Sequence, residues 1–266
     1  MTAPHGMPAR DVAPLDLVGP SPARRLRADR ARQVADVLRQ QVVRGAFGSG
    51  ALPDERALAA EFAASRNTIR EALAILRAEG LIERVPSVGT VVVNQKFCHG
   101  LDRLMGLAET LHEHGTVTNE VRVAEVVRPP RSVAGRLRVP EGGPVIYVER
   151  LRRLNGTPLS LDLTYLTAKV GRPLLDEDLE NRDIFVLIEQ LSGQRLGSAE
   201  VNMEAINADA HSAAVLDVPK GAALLVVERL THLDDGRPVD LEFIRFRGDR
   251  LTMRAQLSRA GEGGPR

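Results

Sequence analysis

A single cysteine, Cys98, stands in 266 residues, which excludes an intrachain disulfide framework and suits a reducing cytoplasm. No run approaches the ~20 consecutive apolar residues that a membrane-crossing helix needs, so no membrane partner is expected. The Pro- and Gly-bearing start lacks the apolar core of a secretion signal and reads, over residues 1–26, as a flexible tail; residues 259–266 read as a second. Lysine supplies three of 36 basic residues, a bias that carries no functional reading. Net charge is nearly absent at +1, so nothing global calls for a polyanionic partner, and a nucleic-acid signal has to come from where the charge sits. His112 and His114 are two apart, which does not place them on one helix face, and no third ligand stands near. No nucleophile–base pair is evident. No catalytic residue, metal or cofactor is expected.

What is present is a chain with 43% hydrophobic residues, long enough for two domains and their cores. Between residues 24 and 93, twelve arginines face eight carboxylates, so the modest positive excess gathers in the first third. There Val34, Val37, Leu38 and Val42 fall at helical spacing, and Gly45, Gly48 and Gly50 end the helix. Leu52-Pro53-Asp54 introduces a second short helix with Leu58 and Phe62 on its buried side. Ser65 is placed to cap a third, whose core stripe is Ile69, Ala72, Leu73 and Leu76, closing at Glu79-Gly80. Residues 81–85 and 90–93 then read as two strands joined by Pro86-Ser87-Val88-Gly89, a hairpin or wing. The domain spans 27–93, and 94–115 reads as a linker with a short helical pattern at Leu101, Leu104, Leu107 and Leu111.

A helix that enters the major groove presents polar side chains near its N-terminus while its other face packs on the domain. Arg66 and Arg70 share a face of the third helix, flanked by Asn67 and Thr68, and Arg56 of the second helix lies near. Arg bonds guanine bidentately or holds phosphate, and Asn bonds adenine. The run from Leu52-Pro53-Asp54-Glu55-Arg56 through Ser65-Arg66-Asn67-Thr68-Ile69-Arg70-Glu71-Ala72-Leu73 and Glu79-Gly80-Leu81-Ile82 to Gly89-Thr90 resembles the GntR family of bacterial regulators. That resemblance implies that Arg56, Arg66, Asn67, Thr68 and Arg70 meet double-stranded operator DNA, with Gly89 and Thr90 in the wing. The chain departs from the family pattern at Ala63, in the interhelix turn, and at Ser87 in the wing, where glycine is frequent.

The second domain, 116–258, carries an internal repeat. Leu137-Arg138-Val139-Pro140 returns as Leu216-Asp217-Val218-Pro219, Val148-Glu149-Arg150-Leu151 as Val227-Glu228-Arg229-Leu230, and Gly156-Thr157-Pro158 as Gly236-Arg237-Pro238. Each copy reads as helix end, strand, tight turn and strand, because Asn155-Gly156 and Asp235-Gly236 are strong hairpin dipeptides. Two copies predict one antiparallel sheet with flanking helices, such as residues 184–191, and a ligand cleft between the halves. The first hairpin admits two registers. A two-residue loop sets Asp162 opposite Glu149, and a three-residue loop sets it opposite Arg150; electrostatics favours the second.

With Glu149-Arg150-Leu151-Arg152, Gly156-Thr157-Pro158, Asp183-Ile184-Phe185 and Phe246-Arg247-Gly248-Asp249, this domain resembles the UTRA domain of the HutC subfamily. The resemblance implies an α+β fold overall: an N-terminal winged helix-turn-helix plus a C-terminal chorismate-lyase-like antiparallel sheet domain. It also implies a homodimer and a small-molecule effector held by Arg150, Arg152, Asp162, Asp183, Phe185, Asp240 and Phe246. At Asp183, Phe185 and Phe246 the amino-sugar-phosphate sensors carry hydroxyl side chains, so that effector class does not transfer. Two other readings stay open here: an enzyme of lyase-like fold with a DNA-binding head, and a DNA-binding protein without an effector.

Overall fold

The computed structural model describes residues 22–47, 50–93 and 96–258, with side chains from Asp29 onward. The tails expected over 1–21 and 259–266, and Gly48, lie outside the described residues. Helix α1 (Pro22–Val43) opens on a proline, tolerated there because a first-turn N–H has no intrahelical acceptor; it claims residues 22–26, which the sequence assigns to the tail. Helix α2 (Glu55–Glu61) is capped by Asp54, whose carboxylate accepts the Ala57 amide at 2.7 Å. In α3 (Arg66–Ala78), the Ser65 hydroxyl accepts the Thr68 amide at 3.2 Å. The strands β1 (Ile82–Val85) and β2 (Gly89–Val92) pair antiparallel as the wing.

Val34, Leu38, Leu58, Ile69, Leu76 and Ile82 form the head's core, each at most 2% exposed, and burying each large side chain contributes about 1.5–3 kcal/mol. Outside that core, Arg39 holds both Glu79 oxygens through Nε and Nη2, at 2.7 and 2.6 Å, joining α1 to the end of α3. Between α2 and α3 the chain turns through Ala63 at φ 45°, a left-handed conformation that crowds a Cβ against the following carbonyl. Ala63→Gly removes that crowding and is expected to stabilise the head by about 1 kcal/mol, less glycine's larger entropy loss. Chemical denaturation checks this; an unchanged or lower midpoint at equal slope counts against strain there.

Downstream, the order is β3 (Phe97–Gly100), α4 (Leu107–Leu111), β4 (Val117–Val127), α5 (Arg131–Arg136), β5 (Val145–Leu154), β6 (Thr157–Thr167), α6 (Ala168–Leu174) and α7 (Ile184–Ser192). Then follow β7 (Leu196–Asn207), α8 (Ala210–Leu216), β8 (Ala223–Leu233), β9 (Pro238–Arg247) and β10 (Leu251–Arg254). One antiparallel sheet has the order β4-β5-β6-β9-β8-β7, so the repeat is a β-α-β-β unit used twice and joined at β6 and β9. The two copies agree down to backbone angles: Arg138 and Asp217, equivalent in the repeat, stand at φ 52° and 53°.

Register comes out as a combination of the two alternatives. Asn155 (φ 50°) and Gly156 (φ 79°) form a two-residue turn, since both positions of such a turn need positive φ. Yet Arg150 pairs with Asp162, because the ladder slips between Arg152 and Arg153, leaving Leu159 unpaired. Pro158, which has no N–H to give, sits at the slip. Pro238 marks the same slip in the second copy, so that Arg229 pairs with Glu242 and Thr231 with Asp240.

The segment expected as a linker folds into the second domain from residue 97 onward. Strand β3 pairs in parallel with β10, Phe97 opposite Leu251. Leu107 and Leu111, 4% and 0% exposed, pack with Leu154, Leu159 and Phe246. The leucine stripe at 101–111 is therefore the buried side of a helix against the sheet rather than a connector. Helices α5 and α8 cover one sheet face, with Leu151, Leu161, Leu230 and Leu241 beneath them. The other face, under α4, α6, α7 and the β3–β10 pair, carries the site.

Candidate functional sites

On the head, Arg56, Arg66, Asn67 and Arg70 are exposed. Arg70 reaches back to Glu55 at 2.7 Å while its side chain stays 61% exposed, an arrangement worth little to stability. Thr68 departs from expectation: it is 5% exposed and its hydroxyl lies 2.8 Å from Ser65 Oγ. As the residue whose amide the cap receives, it turns inward to complete the helix start, so its side chain is not presented with the arginines. The wing also differs. Its tip is Pro86-Ser87-Val88, with Ser87 at φ 66° and Val88 63% exposed, whereas Gly89 and Thr90 begin β2 opposite Val85 and Arg84. Between α3 and the wing lies a groove of about 460 Å³ lined by Arg70, Arg77, Arg84, Gly89 and Thr90. Arg77 follows Arg70 by two helical turns; the sequence reading passed over it and Arg84 because each looks like an ordinary solvated charge.

In the second domain, the strand residues that face α4 and α7 are polar, yet buried: Arg150, Arg152, Ser160, Asp162, Thr164, Thr231, Asp240 and Glu242 are each at most 3% exposed. Arg152 ties four elements together. Its Nε donates to Asn119 Oδ1 at 2.9 Å, Nη1 to Asp162 at 3.5 Å and Nη2 to Asp183 at 3.1 Å. Asp183 in turn caps α7 by accepting the Phe185 amide at 3.1 Å. It also accepts the Ala108 amide of α4 at 3.4 Å. Gly106 lies so close that a Cβ there would stand 2.4 Å from the Asp183 carboxyl. In the second copy, Arg229 donates to Glu242 through Nε at 2.8 Å and also through Nη2, and its guanidinium lies 4.4 Å over the Phe185 ring.

These surroundings set the charge states. Burial opposes ionisation of Asp183, but Arg152 and Arg150 overcome it and hold the carboxyl below the usual range. Burial wins at Asp162, whose carboxyl is pushed up despite the same two arginines. Asp240 is pushed well above the carboxylate range by burial and by Glu242. For Arg150, burial and the neighbouring Arg152 lower the pKa. Burial, then Arg229 and Arg152, hold His99 at about 4, so its imidazole is neutral at physiological pH.

Beside this polar face is a cavity of about 240 Å³. Of the residues expected at an effector, Arg152, Asp162 and Phe246 line it. Arg150, Asp183, Phe185 and Asp240 lie behind the wall. Their physical roles are visible: Asp183 caps α7, Phe185 supports the Arg229 guanidinium, and Arg150 and Asp240 are buried in the sheet face. His99, Arg229, Val227, Ile244 and Met253 also line the cavity and escaped the sequence reading. Arg229 was within reach, since the repeat maps Arg150 onto it and Asp162 onto Glu242; His99 sat inside the supposed linker.

Two family models match the chain: "UTRA domain" over residues 112–252 and "Bacterial regulatory proteins, gntR family" over 30–92. The chain belongs to the GntR family. Among curated relatives, the HTH-type transcriptional regulator GmuR of Bacillus subtilis is 30% identical over 76% of this chain and 86% of its own length. The histidine utilization repressor of Pseudomonas putida is 27% identical over 85% and 91%, in line with the HutC subfamily. The crystal structure of PhnF from Mycobacterium smegmatis shares the fold, with a TM-score of 0.62 at 23% identity, covering 85% of this chain and 99% of that one. The GntR protein is thus a DNA-binding transcription regulator with a UTRA effector-binding domain. Among the described residues of the regulator, no helix is long and apolar enough to cross a membrane.

Proposed function

We propose that this regulator is a homodimeric repressor that binds a palindromic operator and is modulated by a small metabolite in the UTRA cavity, without chemical turnover. Arg56, Arg66, Asn67 and Arg70 read the major groove, and the wing at Gly89–Thr90 brings the backbone to the DNA, with Arg77 and Arg84 of the groove toward phosphate. Two-fold pairing of heads matches half-sites about one helical turn apart. The observation that carries the effector reading is the cavity of about 240 Å³, where Arg152, Asp162, Arg229 and His99 meet the apolar Val227, Ile244 and Phe246. A few convergent polar groups on an apolar wall are what a small-molecule site requires.

The test is a thermal-shift screen of metabolites on the full chain, followed by gel shifts with the hits. A ligand at a hundredfold over its Kd stabilises by about 2.7 kcal/mol, and at the same concentration is expected to move the operator titration. It should be recovered unchanged after incubation. Hits that stabilise the protein without altering operator affinity would remove modulation from the reading. Consumption of the ligand would make the protein an enzyme, and a footprint on one half-site would remove the dimer.

A further inference from the structure

Side chains alternate along a strand, so the β3–β10 ladder serves two spaces. His99 lines the UTRA cavity, whereas Cys98 and its ladder partner Thr252, with Arg254, line a separate cleft of about 510 Å³. Lys96, the residue before β3, lines that cleft as well. The head contributes Val43, Arg44 and Gly45, at the end of α1.

Three full positive charges, Arg44, Lys96 and Arg254, thus border one space, and none of the described residues lining it is a carboxylate. The UTRA cavity, by contrast, includes Asp102 and Asp162, and the groove on the head includes Asp54 and Glu55. No side-chain hydrogen bond or ion pair joins Arg44, Lys96 or Arg254 to another described residue. Against them stands only the end of α1, a partial negative charge of about half a unit. Its carbonyls at Gln40, Gln41 and Val42 already accept the amides of Arg44, Ala46 and Gly45. Arg44 and Arg254 are exposed and Lys96 is half-buried, so salt screens their repulsion and the fold tolerates the cluster. What the cluster offers is attraction for a counter-ion.

Guanidinium groups hold phosphoryl oxygens bidentately, and an ammonium adds a point charge. A carboxylate brings one charge, whereas a phosphate ester brings about −1.5 to −2 and three acceptor oxygens, so three cations without an acid suit the latter. The volume lies within the ~300–1,000 Å³ of small-molecule sites. We propose that this cleft binds a small, multiply charged anion of the phosphate-ester or diphosphate class. Arg44 holds it from the head, and Lys96 and Arg254 hold it from the sensing side, so that its binding ties the two domains together. The site is distinct from the UTRA cavity and stands whether or not that cavity takes an effector.

The probe is inorganic pyrophosphate, titrated calorimetrically into the full chain, with sodium chloride at matched ionic strength as the control. Saturable binding is expected, weakened at least about fivefold by Arg44→Gln and by Arg254→Gln. Both side chains are exposed, so the melting curves are expected to stay unchanged. As the single cysteine of the chain, Cys98 supplies a local readout. Its alkylation by N-ethylmaleimide is expected to slow as pyrophosphate saturates the wild type, and not in the variant carrying both substitutions. Absence of saturable binding overturns the proposal. So does binding that both substitutions leave intact, or that Arg229→Gln in the UTRA cavity abolishes instead. Alkylation of Cys98 that is unaffected at saturation puts the anion elsewhere and overturns it too. If the double variant binds pyrophosphate like the wild type but loses affinity for all DNA sequences alike, with a flatter salt slope, the cluster serves the DNA backbone instead. Should Arg254→Gln not fold, Arg44→Gln on the head decides.

Discussion

Arg152→Met is expected to destabilise the UTRA domain by about 3–5 kcal/mol, because it leaves charges buried without their partner. The guanidinium is the common partner of Asn119, Asp162 and Asp183, and it is 3% exposed. Methionine fills much of the volume and supplies no donors. At roughly 2–4 °C per kcal/mol for a domain of this size, the melting transition falls by on the order of 10 °C. Calorimetry of the full chain reads this directly. Adding Asp162→Asn and Asp183→Asn to Arg152→Met should restore part of the loss, since the uncompensated carboxylates go with them. An Arg152→Met protein that melts like the wild type would show that the network contributes nothing net. The pH dependence has a definite sign. Asp183 is held below its unfolded pKa, so its contribution is present above the ordinary carboxylate range and disappears as pH falls through the lowered value. Asp162 and Asp240, both pushed up, act oppositely: their share is complete in acid and is lost as pH rises through their folded values.

Arg66→Ala is expected to weaken operator binding by about 1–3 kcal/mol, roughly 5- to 150-fold, with an unchanged melting curve because the side chain is exposed. For Arg70→Ala the loss belongs at the lower end of that range, since the wild-type arginine first has to leave Glu55. Gel-shift titrations at several salt concentrations separate the roles. A residue that reads a base relaxes preference at one operator position, whereas one that holds phosphate weakens all sequences alike and flattens the salt slope by about one. Unchanged affinity in both variants would move the DNA interface off α3.

Local signals carried much of this into the sequence. Helical periodicity and the Asp54 and Ser65 caps are short-range features, and so the three head helices and the wing are legible. The duplicated motif foretold a two-hairpin sheet for the same reason. What stayed hidden was non-local. The four-residue strands Phe97–Gly100 and Leu251–Arg254 find each other across about 150 residues, and nothing within either segment announces the partner. The inward turn of Thr68 depends on the cap it completes, and the split of Arg150, Asp183, Phe185 and Asp240 from the cavity wall depends on tertiary depth. In the hairpin, charge correctly paired Arg150 with Asp162, but the turn dipeptide was also right; the unpaired Leu159 reconciles them, and the only mark of it in the sequence is the proline at 158.

The short parallel ladder between β3 and β10 has a mechanical side. The described head ends at Val93 and the sensing domain's first strand begins at Phe97, so along the chain β3 is the first element of that domain to feel a displaced head. His99 is on that strand and at the wall of the cavity. The cavity proposed for a small molecule is therefore within one strand-length of the point where the chain arrives from the head.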